Sequence, residues 1–264
     1  MRSAWLTVVL ALPIAAMPLA AGAQMFTAGG GIAPAMAMNQ LMMQPVRESV
    51  AQTMARSGGS GGGSSRYLRA PAAAGAFAAG ASATTAARTP TDYRASPAVT
   101  ARVKQQYVDF IRKSVSPQAA QQYEGVLSRN DFVRNWSNLV AEEGLRPGDA
   151  VDAFAAYWML NYLIANNLTD SGAGSGRAVA SQIRPIMASN PGFARLNEGQ
   201  RQEMAEVLML NFLTQQAAYD HAVTSRDEAL RRRLGEAAVA RFRSEMGVDL
   251  RQLQLTRAGF VRGG

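Results

Sequence analysis

The chain has 264 residues, 27 Lys+Arg against 19 Asp+Glu, one histidine and no cysteine, and 48% of it is hydrophobic. Without cysteine, a disulfide framework, thiolate zinc sites, cysteine nucleophiles and iron–sulfur clusters are excluded. With His221 as the one imidazole, two-histidine metal sites are excluded as well, and a Ser–His–Asp triad would have to use that residue.

Residues 1–23 read as a secretory signal peptide. Arg2 supplies the positive start, Ala4 to Ala16 the apolar run and Ala21-Gly22-Ala23 a small-x-small cleavage site. The apolar run falls short of the ~20 residues of a spanning helix. Export to a periplasm or to the exterior is therefore expected, with no transmembrane helix after cleavage. From Gln24 to about Ser96 the chain is low-complexity, with Gly29-Gly30-Gly31, a Gly/Ser run from Gly58 to Ser65 and an Ala-rich stretch from Ala70 to Ala87. Such segments carry too little bulky apolar surface to offset the ~1–2 kcal/mol per residue cost of ordering the backbone, so residues 24–96 are expected to be a disordered leader. Within it Val46, Val50 and Met54 recur every four residues, a short helix that would need a partner surface. Met36, Met38, Met42 and Met43, with Met54, are soft thioethers of the kind that suit Cu(I). Neither His nor Cys accompanies them and the richness already begins at Met17 and Met25, so composition is the preferred explanation and no cofactor is expected.

Residues 97–264 carry helical periodicity almost throughout, and the expected fold is all-α, a single compact bundle of six or seven helices. Pro97 opens a first helix with Val99, Val103, Tyr107, Phe110 and Ile111 on one face. A short helix follows Ser116-Pro117, with Ala120, Tyr123 and Leu127 inward, and Asn130 or Asp131 caps a third with Phe132, Trp136, Leu139 and Val140 inward. Pro147-Gly148-Asp149 opens a fourth, running to about Asn167 and apolar around nearly its whole circumference, which marks a central buried helix. After the loop Asp170 to Gly176, helices are expected near 176–189, 198–220 and 226–246, the last with a capping box at Ser225-Arg226-Asp227-Glu228 and a left-handed stop at Gly247. Leu253 and Leu255 alternate with polar residues and suggest one short extended piece; no other segment reads as a strand.

Four features invite chemistry. Met159-Leu160-Asn161-Tyr162-Leu163 recurs as Met209-Leu210-Asn211-Phe212-Leu213, placing an amide amid bulky apolar side chains, where an unpaired polar group costs ~1–3 kcal/mol. The two helices are then neighbours whose Asn161 and Asn211 pair with each other or with loop carbonyls; alternatively Trp158, Asn161 and Asn211 line a pocket. Glu142, Glu143, Asp149 and Asp152 cluster around a helix–helix loop, and paired carboxylates across a cleft could serve a cell-envelope hydrolase. His221 falls at a helix end, where imidazole favours the negative pole. Arg231-Arg232-Arg233 is the one basic run in the fold, with Glu228 and Glu236 a turn from Arg232 on either side. The net charge of +8 resolves into +3 for residues 97–264 and +4 for 24–96, so nucleic-acid binding is not expected, and weak attraction of the leader to anionic surfaces is.

The helix around Trp158 and Asn161, the stretch Asn190-Pro191-Gly192-Phe193, and the ending Gly247-Val248-Asp249 through Leu255-Thr256 to Gly259-Phe260 resemble an uncharacterised family of exported bacterial helical proteins, a domain of unknown function. The resemblance implies export and a compact helical domain, and it lends no catalytic residues. The reading as a whole is a non-catalytic binding module with an envelope protein or cell-wall component as partner; the hydrolase and the copper protein are its alternatives.

Overall fold

The structure is a computed structural model that describes residues 90–262 apart from 172, 173 and 189. Residues 1–23, read above as a signal peptide, and the methionines between 24 and 96 lie outside the described residues. Helix α1 spans Pro97–Ser114, α2 Pro117–Arg129, α3 Phe132–Val140, α4 Ala150–Ala165, α5 Ser175–Ala188, α6 Pro191–Ala194, α7 Glu198–Thr224 and α8 Glu228–Met246. Two 3-10 turns cover Ala141–Glu143 and Leu250–Gln252, and strands β1 (Leu253–Thr256) and β2 (Gly259–Arg262) form an antiparallel hairpin. The fold is all-α, with this hairpin as its one sheet among the described residues. No described helix is long and apolar enough to cross a membrane.

The bundle is built around α4. Every residue from Ala150 to Ala165 is buried, as its apolar circumference requires. Helices α5, α7 and α8 and the second 3-10 turn surround it, and its most extensive partner is α7. Beyond α7 lie α1 and α3, with α2 packed on α1. The core of α4 is aromatic: Trp158 meets Phe154 edge-on at 5.5 Å, Phe242 at 5.4 Å and Phe260 at 5.9 Å. Such pairs contribute ≈ 0.5–1.5 kcal/mol each beyond the area they bury.

The motifs that carry the family resemblance are structural joints. Asn190 caps α6, its Oδ1 accepting from Gly192 N (2.7 Å) and Phe193 N (3.0 Å), and Phe193 is fully buried. Gln182 clamps the hairpin as a strand edge would: Phe260 N donates to its Oε1 (2.9 Å) and its Nε2 donates to Phe260 O (3.0 Å). Gly259 has φ +102 and presses on the same amide, so only glycine fits before Phe260. Gly247 ends α8 in the left-handed conformation (φ 65), as its position in the sequence suggests.

Several boundaries differ from expectation. Residues 91–93 pack on the bundle instead of belonging to a leader that reaches Ser96. Tyr93 and Thr91 are buried, Tyr93 N donates to Gly148 O (2.9 Å) and Ala150 N to Thr91 O (2.9 Å). A second strand was not visible in Gly259–Arg262 because its alternation is too short to stand out, and α6 is a four-residue helix. Asp131, not Asn130, caps α3 through Arg134 N (3.0 Å); the Asn130 amide instead donates back to Val126 O (2.8 Å). The capping box at Ser225 does not form. Ser225 ends α7, its hydroxyl donating to His221 O (2.7 Å), and Asp227 caps α8 through Leu230 N (2.8 Å).

The α5 N-terminus is capped from a distance. Glu143 is buried at the end of the first 3-10 turn, and its carboxylate accepts from Gly176 N (2.8 Å) and Ser171 Oγ (2.7 Å). A Cβ on Gly176 would stand 2.7 Å from Glu143 Cβ and 2.8 Å from Glu143 O. Gly176→Ala is therefore expected to lower stability by roughly 1–3 kcal/mol. Gly125→Ala in α2, where the nearest atom is the flexible Arg129 guanidinium at 3.5 Å, should be neutral or stabilising by up to ~1 kcal/mol. Urea midpoints at constant m-value separate the two, and equal midpoints would contradict the close fit at Gly176.

Candidate functional site

Trp158, Asn161 and Asn211 are all buried. Trp158 is sealed among aromatic rings, Asn161 is wholly buried and Asn211 is 4% exposed. Helices α4 and α7 are neighbours as the sequence echo implies, yet the two asparagines do not pair. Asn161 Nδ2 donates to Tyr157 O (2.8 Å) one turn back, and its Oδ1 accepts from Arg241 Nη1 (2.7 Å). The same nitrogen approaches Gln215 Oε1 (3.1 Å) and the Tyr157 hydroxyl (3.4 Å). Arg241 is 5% exposed, and its acceptors among the described residues are all neutral. The sequence signal for this arginine was its spacing: Leu230, Leu234, Ala238 and Arg241 follow the period of one helical face, the buried face of α8.

Three of the four carboxylates near 142–152 are engaged in building the fold. Glu142 is exposed and Glu143 caps α5. Asp149 caps α4 through Val151 N (2.9 Å), and its other oxygen accepts from Arg184 Nη1 (2.6 Å). Arg184 Nη2 reaches Asp152 Oδ1 (3.2 Å), and the guanidinium also donates to the Thr91 hydroxyl. Burial, and then the neighbouring Asp149, push the Asp152 carboxyl up. One arginine thus ties the incoming chain to the start of α4 through two acids. His221 lies half-buried in the last turn of α7. In α8 the ion pair is Arg231–Glu228 (2.6 Å) in place of the expected pairing of Arg232. No group of three or more His, Asp or Glu that could hold a metal ion occurs among the described residues.

Among the described residues, an apolar cleft of about 60 Å³ opens where α1, α2, α3 and α7 meet. Tyr107 comes from α1, Tyr123 and Leu127 from α2, Phe132 from α3, and Leu210, Leu213 and Thr214 from α7; Asn130 and Asn135 add amides. Local contacts hold its walls. Lys104 Nζ donates to Leu127 O (2.7 Å) and stands 5.9 Å over the Phe132 ring, which fastens the α2–α3 turn onto α1. Tyr107 and Thr214 share a 2.9 Å hydrogen bond, Thr214 Oγ1 donates to Leu210 O (2.9 Å), and the Tyr107 and Tyr123 rings meet at 6.0 Å. Burial is the main cause that pushes both phenols up, Tyr123 to about 12 and Tyr107 further, so both stay neutral at physiological pH. No sequence pattern announces this cleft, because its apolar and hydroxyl walls come from four helices that each look like ordinary core-facing helices. The nearest sequence clue was the Asn211 echo, whose neighbours Leu210 and Leu213 are lining residues.

A fourth buried acid escaped the sequence reading. Glu206 on α7 is 2% exposed, its Oε1 accepting from Thr100 Oγ1 (2.8 Å) and Gln202 Nε2 (2.7 Å) while Oε2 has no partner. Burial pushes its carboxyl up. Gln202 also braces the start of α1, accepting from Ser96 N (2.9 Å) and donating to Ser96 O (2.9 Å).

Removing the buried arginine should be costly for a defined reason. Arg241→Met strands Asn161 Oδ1 and Gln215 Oε1 without donors, an expected loss of about 2–4 kcal/mol. The triple variant Arg241→Met, Asn161→Leu, Gln215→Leu removes the orphaned amides and should recover at least half of that loss in chemical denaturation. A triple variant weaker than the single one would show that the polar groups do not act as one unit.

No curated protein and no solved structure matches the chain. The match that exists is to a family model, and it covers residues 2–262, from the first residues through the hairpin clamped by Gln182. The chain therefore belongs to that family, a family of unknown function designated DUF6683.

Proposed function

We propose that the protein is an exported, non-catalytic binding module of the cell envelope, which holds a small apolar group of its partner in the cleft between α1, α2, α3 and α7. The observation that carries the reading is the cleft itself, the one place described above where apolar side chains of a tightly filled bundle border open space. At about 60 Å³ it is well below the ≈ 300–1,000 Å³ of drug-sized ligand pockets, and its size suits one side-chain-sized group. Its walls carry hydroxyls and amides but no carboxylate or imidazole, which favours binding over acid–base chemistry. Of the acids of the 142–152 region, Glu143, Asp149 and Asp152 are engaged by helix N-termini or by Arg184. Export is supported by the charged start, apolar run and small-x-small site of residues 1–23, and the net +4 of residues 24–96 favours weak attraction to anionic envelope surfaces.

Xenon is a probe matched to a small apolar cavity. With the full mature chain, a saturable ¹²⁹Xe shift is expected, and Leu213→Trp, which fills the cleft from its half-exposed edge, should abolish it without altering the far-ultraviolet circular dichroism. A shift that survives Leu213→Trp, or no saturable shift at all, would sink the cleft as a binding site. For export, mass spectrometry of the chain recovered from a periplasmic fraction should find Gln24 as its first residue. An intact Met1 in the cytosol would refute the signal peptide.

A further inference from the structure

The cleft has a rim as well as walls. Tyr107, Tyr123 and Phe132 give it aromatic sides, and the Phe110 ring carries the apolar surface outward at 6.2 Å from Tyr107. Phe110, Tyr123, Val126 and Leu213 are half-exposed, so apolar side chains of three helices border solvent around one opening. Asn130 and Asn135, half-exposed too, add primary amides that can donate as well as accept. Such a surface suits a short amphipathic helix. One side chain enters, its neighbours cover the rim, and the amides meet backbone carbonyls that a helix end leaves free. A narrow opening between rings favours methionine as the entering group, since its unbranched thioether adapts to irregular gaps and makes favourable contacts with aromatic edges.

The chain carries a segment of that description outside the described residues. Val46, Val50 and Met54 recur every four residues, with Pro45 before them and Gly58 beyond Arg56, the punctuation of a helix whose apolar stripe ends on Met54. We propose that this segment of the leader docks on the α1–α2–α7 face of its own chain, with the Met54 side chain in the cleft between Tyr107, Tyr123 and Phe132. Docking of this kind rests on the cleft's being a binding site and names its resident occupant, which a partner's apolar group has to displace. A Gly/Ser-rich chain as long as residues 55–89 spans about 30 Å, against a radius of gyration of about 16 Å for a domain of this size, so the segment reaches the cleft. Tethering at that length supplies an effective concentration in the mM range, enough for a contact too weak to form between separate molecules. A contact of that strength leaves the cleft open in part of the molecules, so xenon and the leader compete for it.

The test is methyl NMR of the full mature chain labelled with ¹³C-methyl methionine. The Met54 methyl, assigned by its loss in Met54→Leu, is expected upfield of its random-coil position through the ring currents of the cleft, at a shift independent of protein concentration. Leu213→Trp, which fills the cleft, should return it to the random-coil position, and Val46→Ser with Val50→Ser should move it most of the way there. Met54→Ser should strengthen xenon binding about two- to tenfold by removing the competitor. Should Leu213→Trp fail to fold, the leader variants, which alter no residue of the helical bundle, decide the matter. A random-coil Met54 methyl with the xenon site intact overturns leader docking and leaves the binding reading standing. A shifted methyl that survives Leu213→Trp, or that grows with protein concentration, overturns docking in the chain's own cleft. Absence of both the methyl shift and the xenon signal, in the wild type and in Met54→Ser, overturns both readings.

Discussion

The guanidinium of Arg241 is the contact on which the arrangement of the main helices depends. A cation this deeply buried costs several kcal/mol unless its protons are met, and here the acceptors are neutral ones: Asn161 from α4, Gln215 from α7 and the Tyr157 hydroxyl from α4. A flexible acid could follow a displaced arginine, but an amide oxygen held by its own helix cannot. Asn161 is anchored through its other atom to Tyr157 O, so its acceptor direction is set before Arg241 arrives. Sliding or rotating any of the three helices would strand a donor or an acceptor, and the rest of α4, being apolar on all sides, would offer little resistance to such a slip.

That constraint and the cleft are linked through α7. Gln215 faces the arginine, and Thr214, its neighbour in the chain, faces α1 and α2, about 100° around the helix. Leu210 and Leu213 follow Thr214 to the cleft while Met209 and Phe212 are fully buried. The helix therefore presents one face that is filled and another that is not. The register that suits the buried arginine also sets where the Tyr107–Thr214 pair stands.

Much of the architecture was legible in the sequence, because periodicity reports burial. The all-round apolar run of α4 identified the central helix, and Pro97, Asp131, Asp149 and Gly247 marked ends that the structure respects. What was not legible depends on which groups meet across the chain. Glu143 reads like its exposed neighbour Glu142, and only the approach of Gly176 turns it into a helix cap. Ser225 has the right residues around it for a capping box, but α7 runs on to Thr224 and takes the serine as its own end. Arg241 was hidden by chemistry more than by pattern, since a charged residue in a polar-looking helix is ordinarily assigned to solvent even where its spacing is that of the core. The cleft, being a failure of four helices to close, has no linear signature.

The joint at Thr91, Asp149 and Arg184 bears on how the domain would respond to force. The chain enters through a two-bond backbone bridge to Gly148 and Ala150, braced by one arginine and two acids, and that bridge sits on the first turn of α4. Tension applied through the residues that precede Pro90 is delivered to the end of the central helix before it reaches α1. A pull on the entering strand therefore meets the contacts at the first turn of the most deeply buried helix before it reaches α1.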